Sequence, residues 1–298
     1  MKILSFITCC LLVFSAHGAT TTANATTTSG SLNTIDTDTS TLKTSADMSV
    51  GGVNDSAVVT IQPAVHFELD DLGLDAKLTT PMGVESQYTY MGRPELKLSH
   101  AFIVSDESLV TPSFAMRVPA CRSAALTKSD RNSICGWRLE PGAYMDTSIG
   151  RSRLRFVASG SIAYDGTYSG NANMNGKMVQ YSISAPWTSR FFVGTKYAAS
   201  PYSITGGFRF INSLTEAKTE LNDPTAASQV GNDPSLEYAA AELNGDYKLD
   251  NDLTLLGGMT WSVLRANSQN MHVARVTAFD NLNEVADFAI HLGVSKEF

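Results

Sequence analysis

From residue 57 to the end of the chain, apolar side chains recur at every second position, in runs of ten residues or more. A two-residue period belongs to β-strands, which send odd and even residues to opposite faces. In 57–69, Val59, Ile61, Val65 and Phe67 share one face, and Thr60, Gln62, His66 and Glu68 share the other. The same split runs through 87–104, 110–120, 136–146, 151–165, 177–199, 202–212, 236–249, 252–265 and 286–298. These runs predict ten strands. In 177–199 one apolar face, from Val179, Tyr181 and Ile183 through Trp187, Phe191 and Val193 to Tyr197, keeps odd numbers throughout, so this stretch reads as one long strand. Twelve strands is the alternative, reached if 177–199 splits or 270–280 forms a strand of its own.

The connections sort into two kinds. Those at 106–108, 147–150, 200–201 and 250–252 are tight, whereas 70–86, 121–134, 166–176, 213–235 and 266–285 are long and polar. Tight turns on one side and long loops on the other are the signature of a barrel that crosses a membrane. The strands are longer than the five or six residues of soluble sandwiches and match the ~9–11 needed to cross a bilayer at a tilt. Tyr197, Tyr202 and Tyr247 fall beside tight turns, where an interfacial aromatic girdle belongs. The expected fold is therefore all-β: a closed antiparallel up-and-down transmembrane barrel over 57–298.

The N-terminus points to export. Lys2, the short apolar run Ile3–Phe14 and the small residues Ala16 and Gly18 form a signal peptide over 1–18, cleaved after Gly18. About twelve apolar residues are too few for a spanning helix. Residues 19–56 are rich in Thr, Ser, Ala, Asn and Asp, and they read as a disordered periplasmic tail. Charged residues make up only 17% of the chain, the net charge is −7 and the pI is near 5.2, which excludes nucleic acid as a partner. After cleavage only Cys121 and Cys135 remain, and in an oxidising compartment they are expected to pair. No metal site and no cofactor are expected.

The last strand, FAIHLGVSKEF, resembles the terminal strand of bacterial outer-membrane β-barrel proteins. Phe288, Ile290, Leu292, Val294 and Phe298 match that superfamily's pattern of alternate apolar residues ending in an aromatic, and Lys296 departs from it. The resemblance covers about a dozen residues. It implies a Gram-negative outer membrane as location, outer-membrane lipid and lipopolysaccharide as surroundings, and the barrel-assembly machinery as a partner that reads this strand.

The face opposite the apolar one carries the charges. Glu68, Arg93, Glu95, Arg117, Arg138, Glu140, Arg153, Arg155, Arg190, Arg209, Glu242 and Asp246 are expected to share one lumen. Mixed charges there fit a narrow, porin-like channel with a transverse field or an interior closed by salt bridges. The Arg151, Arg153 and Arg155 ladder would attract small anions or pair with Glu140, Glu242 and Asp246. A non-conducting structural or adhesin-type barrel, acting through its extracellular loops, is the alternative. An enzyme is not expected. Ser99 and His100 are adjacent on a strand and point oppositely, and the residues of an omptin-type protease are missing. The solute or receptor is not legible.

Overall fold

A computed structural model describes residues 40–53, 56–69, 74–85, 88–119, 122–124, 136–150, 152–174, 177–184, 187–215, 217–222, 229–233, 237–249, 252–266, 282 and 286–298. Twelve antiparallel barrel strands form in chain order. They are β1 (Ser40–Val53), β2 (Ser56–Leu69), β3 (Leu74–Thr79 and Met82–Glu85) and β4 (Tyr88–Met91, Glu95–His100 and Phe102–Ser105). Next come β5 (Ser108–Arg117), β6 (Arg138–Ser148), β7 (Leu154–Asp165) and β8 (Thr188–Ala199). The last four are β9 (Tyr202–Ser213), β10 (Glu237–Lys248), β11 (Leu253–Ala266) and β12 (Phe288–Glu297). Each strand pairs with the next, and β1 closes the ring by pairing with both β2 and β12.

Two of these strands correct the sequence reading. Residues 40–53 were expected to lie in a disordered tail, yet they form β1, so the barrel begins well before residue 57. The composition misleads because β1 puts only Leu42, Met48 and Val50 outward as large apolar residues, while Lys43, Ser45, Asp47 and Ser49 face inward. Its backbone is satisfied by neighbours on both sides, which an isolated polar segment lacks. Residues 70–86 were expected to be one loop, but 74–85 form β3. Its two segments keep one register with β2 and are interrupted only around Thr80–Pro81, where Thr80 N–H still donates to Pro63 O at 3.2 Å. The barrel is thus twelve-stranded, not ten-stranded, and for neither of the reasons foreseen. The 177–199 stretch does not fold back on itself. Lys177–Ser184 and β8 keep one register against Tyr168–Met174 and β7. Residues 270–280 lie outside the described residues, as do residues 1–18, read above as a signal peptide, and Cys121 and Cys135.

The two ends of the barrel differ. At the end that holds Ser40 and Phe298, the strands are joined by short links: β2 to β3, β4 to β5 through Asp106–Glu107, β6 to β7, β8 to β9 through Ser200–Pro201, and β10 to β11. Gly150 and Asp252 adopt positive φ there (58° and 59°). The register Ala199↔Tyr202 is the one the alternation predicts. At the far end β1–β2 and β3–β4 connect tightly, but longer segments follow β5, β7, β9 and β11. Four strands, Tyr168–Met174, Lys177–Ser184, Ala217–Asn222 and Gln229–Asp233, form a second sheet that continues from β7, β8 and β9.

The side chains are distributed inside out relative to a soluble barrel. Phe67, Leu98, Phe114, Ile162, Val193, Phe208, Leu243, Met259 and Leu292 are exposed on the outer wall. Ser45, Thr60, Arg117, Arg138, Asp146, Asp165, Arg190, Ser203, Glu242 and Thr260 are buried inside. Aromatic residues gather at both ends. Trp137, Tyr164 and Trp187 stack at the loop end with centroids 5.0 and 4.7 Å apart, and Tyr197 meets Tyr202 at 6.1 Å at the turn end. On β12, Phe288, Ile290, Leu292, Val294 and Phe298 all face outward. The Lys296 ammonium lies 4.8 Å from the centre of the Phe298 ring, so the departure from the terminal-strand pattern folds back onto the pattern's own aromatic.

Candidate functional site in the barrel lumen

Strand parity sends the charged residues inward, and cross-strand register sets which of them meet. Toward the loop end, Glu95, Arg117, Arg138 and Asp165 lie on one continuous row across β4, β5, β6 and β7. Arg93 joins them from a one-residue slip in the β3–β4 pairing at Gly92–Pro94. Arg117 donates to Glu95 (2.5 Å) and Arg93 to Asp165 (2.6 Å) and to Gly136 O (3.1 Å). Arg190 donates to Glu140 at 2.8 Å, and Arg138 lies between Glu140 (3.3 Å) and Asp165 (3.7 Å). Arg93, Arg138 and Asp165 are almost wholly shielded, so this cluster fills its side of the lumen.

Further down the wall, Lys43 bridges Glu68 (2.7 Å) and Glu297 (3.8 Å). Arg155 pairs with Asp146 and reaches Ser148 at 3.0 Å, and Arg209 grips Glu242 with two nitrogens. The expected lumen residues are therefore largely engaged in ion pairs. Arg155 takes Asp146, and Glu140, Glu242 and Asp246 have other donors. Arg153 lies exposed just before β7, where its carbonyl accepts from Ala198 N–H at 3.0 Å and so continues the β7–β8 register. Arg151 lies outside the described residues.

The opposite wall is built differently. Two consecutive inward rows cross β9, β10, β11, β12, β1 and β2. One runs Ser203, Asp246, Leu256, Gly293, Asp47, Gln62, and the next runs Thr205, Asn244, Gly258, His291, Ser49, Thr60. A cavity of about 300 Å³ opens against them, lined by Asp47, Ser49, Gln62, Thr205, Asn244, Asp246, Leu256 and His291. The two glycines on these rows let neighbouring side chains lie close against the wall. A Cβ on Gly293 would collide with the Asp47 carboxylate, and one on Gly258 would sit 2.5 Å from Asn244 Oδ1 and against the His291 ring. Asp246 is held by the Ser203 hydroxyl. Sequence reading placed Asp246 and Gln62 inward but missed Asp47 and Ser49, which it assigned to the tail. The signal available was the alternation of Leu42, Met48 and Val50. At the mouth above this wall, the Tyr238 hydroxyl donates to Ala286 O at 2.9 Å, and Asp287 N–H donates to Gly52 O at 2.9 Å.

Metal-ligating atoms come together once among the described residues, at His66, Glu68 and Asp75, all within 4.8 Å of one another. Lys43 already sits on Glu68 at 2.7 Å, and Lys43 and Lys77 are the register partners of His66. The set is part of a lattice of mixed charge.

No protein-family model matches the sequence, and no curated protein matches it. Solved structures do. The CymD monoaromatic hydrocarbon channel is 8% identical, with 87% of this chain and 88% of that chain covered and a TM-score of 0.52. The Pseudomonas putida toluene transporter TodX is 9% identical, with 87% and 89% covered and a TM-score of 0.51. The NanC porin is 11% identical, with 86% and 98% covered and a TM-score of 0.48. This chain shares the β-barrel fold of CymD and TodX. At these identities the likeness is one of fold.

Proposed function

We propose that the protein is a narrow, porin-like outer-membrane channel for small hydrophilic solutes or ions, and not an enzyme. The observation that carries this reading is a water-accessible cavity of about 300 Å³ on a polar wall, inside a closed barrel whose outer wall is apolar. An apolar exterior over closed strands suits hydrocarbon, where every backbone group must be paired within the protein. A bacterial outer membrane, reached through a cleaved signal peptide, accounts for that exterior and for the terminal strand. CymD and TodX are described as hydrocarbon channel and toluene transporter. A lumen of carboxylates, amides and guanidinium groups favours polar solutes instead.

Catalysis finds little support. Ser49 and His291 face each other across β1–β12 with Asp47 one row away, but no hydrogen bond joins them and His291 Nδ1 has no partner. A nucleophile and its base must come within hydrogen-bond reach. The second sheet, on the loop end, favours one other reading, a surface-binding barrel.

Refolded protein in a planar bilayer is expected to give discrete, stable conductance steps. Silence, together with binding through the loops, would favour the surface-binding reading. The outer wall has its own test. Val193→Arg, at the middle of β8 between Ala158 and Phe208, is expected to cost about 2–4 kcal/mol in a bilayer. A loss below about 1 kcal/mol, the level seen near an interface, would place that wall away from the hydrocarbon core.

A further inference from the structure

The lumen presents its charges unevenly, and the solute it suits follows from that. Toward the loop end the arginines of β4–β8 are engaged by Glu95, Glu140 and Asp165. The cavity on the other wall has no lysine or arginine among its described lining residues. It has two carboxylates, Asp47 and Asp246, on one row. Around them Ser49, Gln62, Thr205 and Asn244 offer hydroxyl and amide groups, and Leu256 is the apolar residue of the lining.

We propose that this cavity is a binding site for a small solute that carries an ammonium group and several hydroxyl groups, with Asp47 and Asp246 as the residues that set the preference. The inference deepens the channel reading and rests on it. Asp246 keeps one oxygen on the Ser203 hydroxyl, which fixes its orientation. Among the described residues, the charged groups that act on Asp47 are Lys77 and His291. Its carboxylate lies close against Gly293, where a Cβ would collide with it. A volume near 300 Å³ lies at the small end of ligand sites, the scale of a single sugar ring. A charge-assisted hydrogen bond is stronger than a neutral one and sets the expected discrimination at about tenfold.

Three probes of one size and different charge test this: glucosamine, glucose and glucuronate. Permeation is read by swelling of vesicles that contain the refolded protein, and block is read on single-channel currents. Glucosamine is expected to enter and to block about tenfold better than glucose, with glucuronate weakest. The Asp47→Asn, Asp246→Asn double variant is expected to lose that preference, so that glucosamine and glucose are treated alike. Gly293→Ala, which presses on Asp47 from behind and keeps the charge, is expected to weaken it severalfold. A heat-modifiable band establishes that each variant is folded. A conducting protein that treats glucosamine and glucose alike, or that prefers glucuronate, overturns the inference and leaves the channel standing. A preference that survives the double variant removes Asp47 and Asp246 from it. No conductance and no swelling with any probe overturns the channel and the inference together.

Discussion

A chain that begins at residue 57 is expected not to close into a barrel. The alternation alone marks that point as the start of the folded region, yet the cut removes β1 whole. β1 pairs with β2 from Ser40↔Leu69 to Val53↔Ser56 and with β12 from Lys43↔Glu297 to Gly52↔Phe288. Without it, two long edges lose their partners. In hydrocarbon each unpaired backbone group costs several kcal/mol, so the loss far exceeds the net stability of a domain. Nor can β2 and β12 repair the gap by pairing directly. Both run from the loop end to the turn end, whereas every pairing in this barrel is antiparallel. The check is refolding into detergent or vesicles, followed by electrophoresis of heated and unheated samples. Chains starting at 39 or earlier should give a fast-migrating, protease-resistant species, and the chain starting at 57 should give none. Recovery of that species from the shorter chain would show that β1 is dispensable for closure.

The same strand shows how much of this molecule was legible in its sequence. Where outward positions are large and apolar, as with Phe208 and Phe210 on β9 or Leu292 and Val294 on β12, period two is plain and the register followed. Parity across Ser200–Pro201 was read correctly from that signal alone. β1 has the same parity, but Thr44 and Ala46 dilute its outward face, and its inward face is lysine, aspartate and serine. Its stability comes from two flanking ladders, which composition does not register. β3 was lost for another reason. Thr80–Pro81 interrupts its pattern midway, and only four residues separate it from β2, so strand and connection merged into one apparent loop. The charged half of the lumen was legible because arginine and glutamate stand out against apolar neighbours. The other half was legible only in part: Asp246 and Gln62 were placed inward, while Asp47 and Ser49 were missed, and Gly258 and Gly293 are informative only once their row is known.

Glu140→Gln is expected to be the most damaging single change within the lumen. Glu140 accepts from Ser161 Oγ at 2.6 Å and from Arg190 at 2.8 Å, and it lies 3.3 Å from Arg138 Nε. The two guanidinium groups are only 2% and 7% exposed. Neutralising the carboxylate takes from both a negative charge that water does not replace, and breaking a buried ion pair costs about 3 kcal/mol or more. The partly exposed pair Lys43–Glu68, at 28% and 27% exposure, sets the contrast, since Glu68→Gln there should cost less than about 1 kcal/mol. Urea unfolding of the refolded variants in one detergent measures the two losses side by side. Adding Arg138→Met to Glu140→Gln should recover much of the stability, because it removes the stranded charge and not just its partner. Equal small losses for the two glutamates would mean that water, and not carboxylate, compensates the arginines. Whatever the loss, the Glu140 variant should keep the preference between glucosamine and glucose. The cluster buttresses β4–β8, whereas the solute is met by Asp47 and Asp246 on the opposite wall.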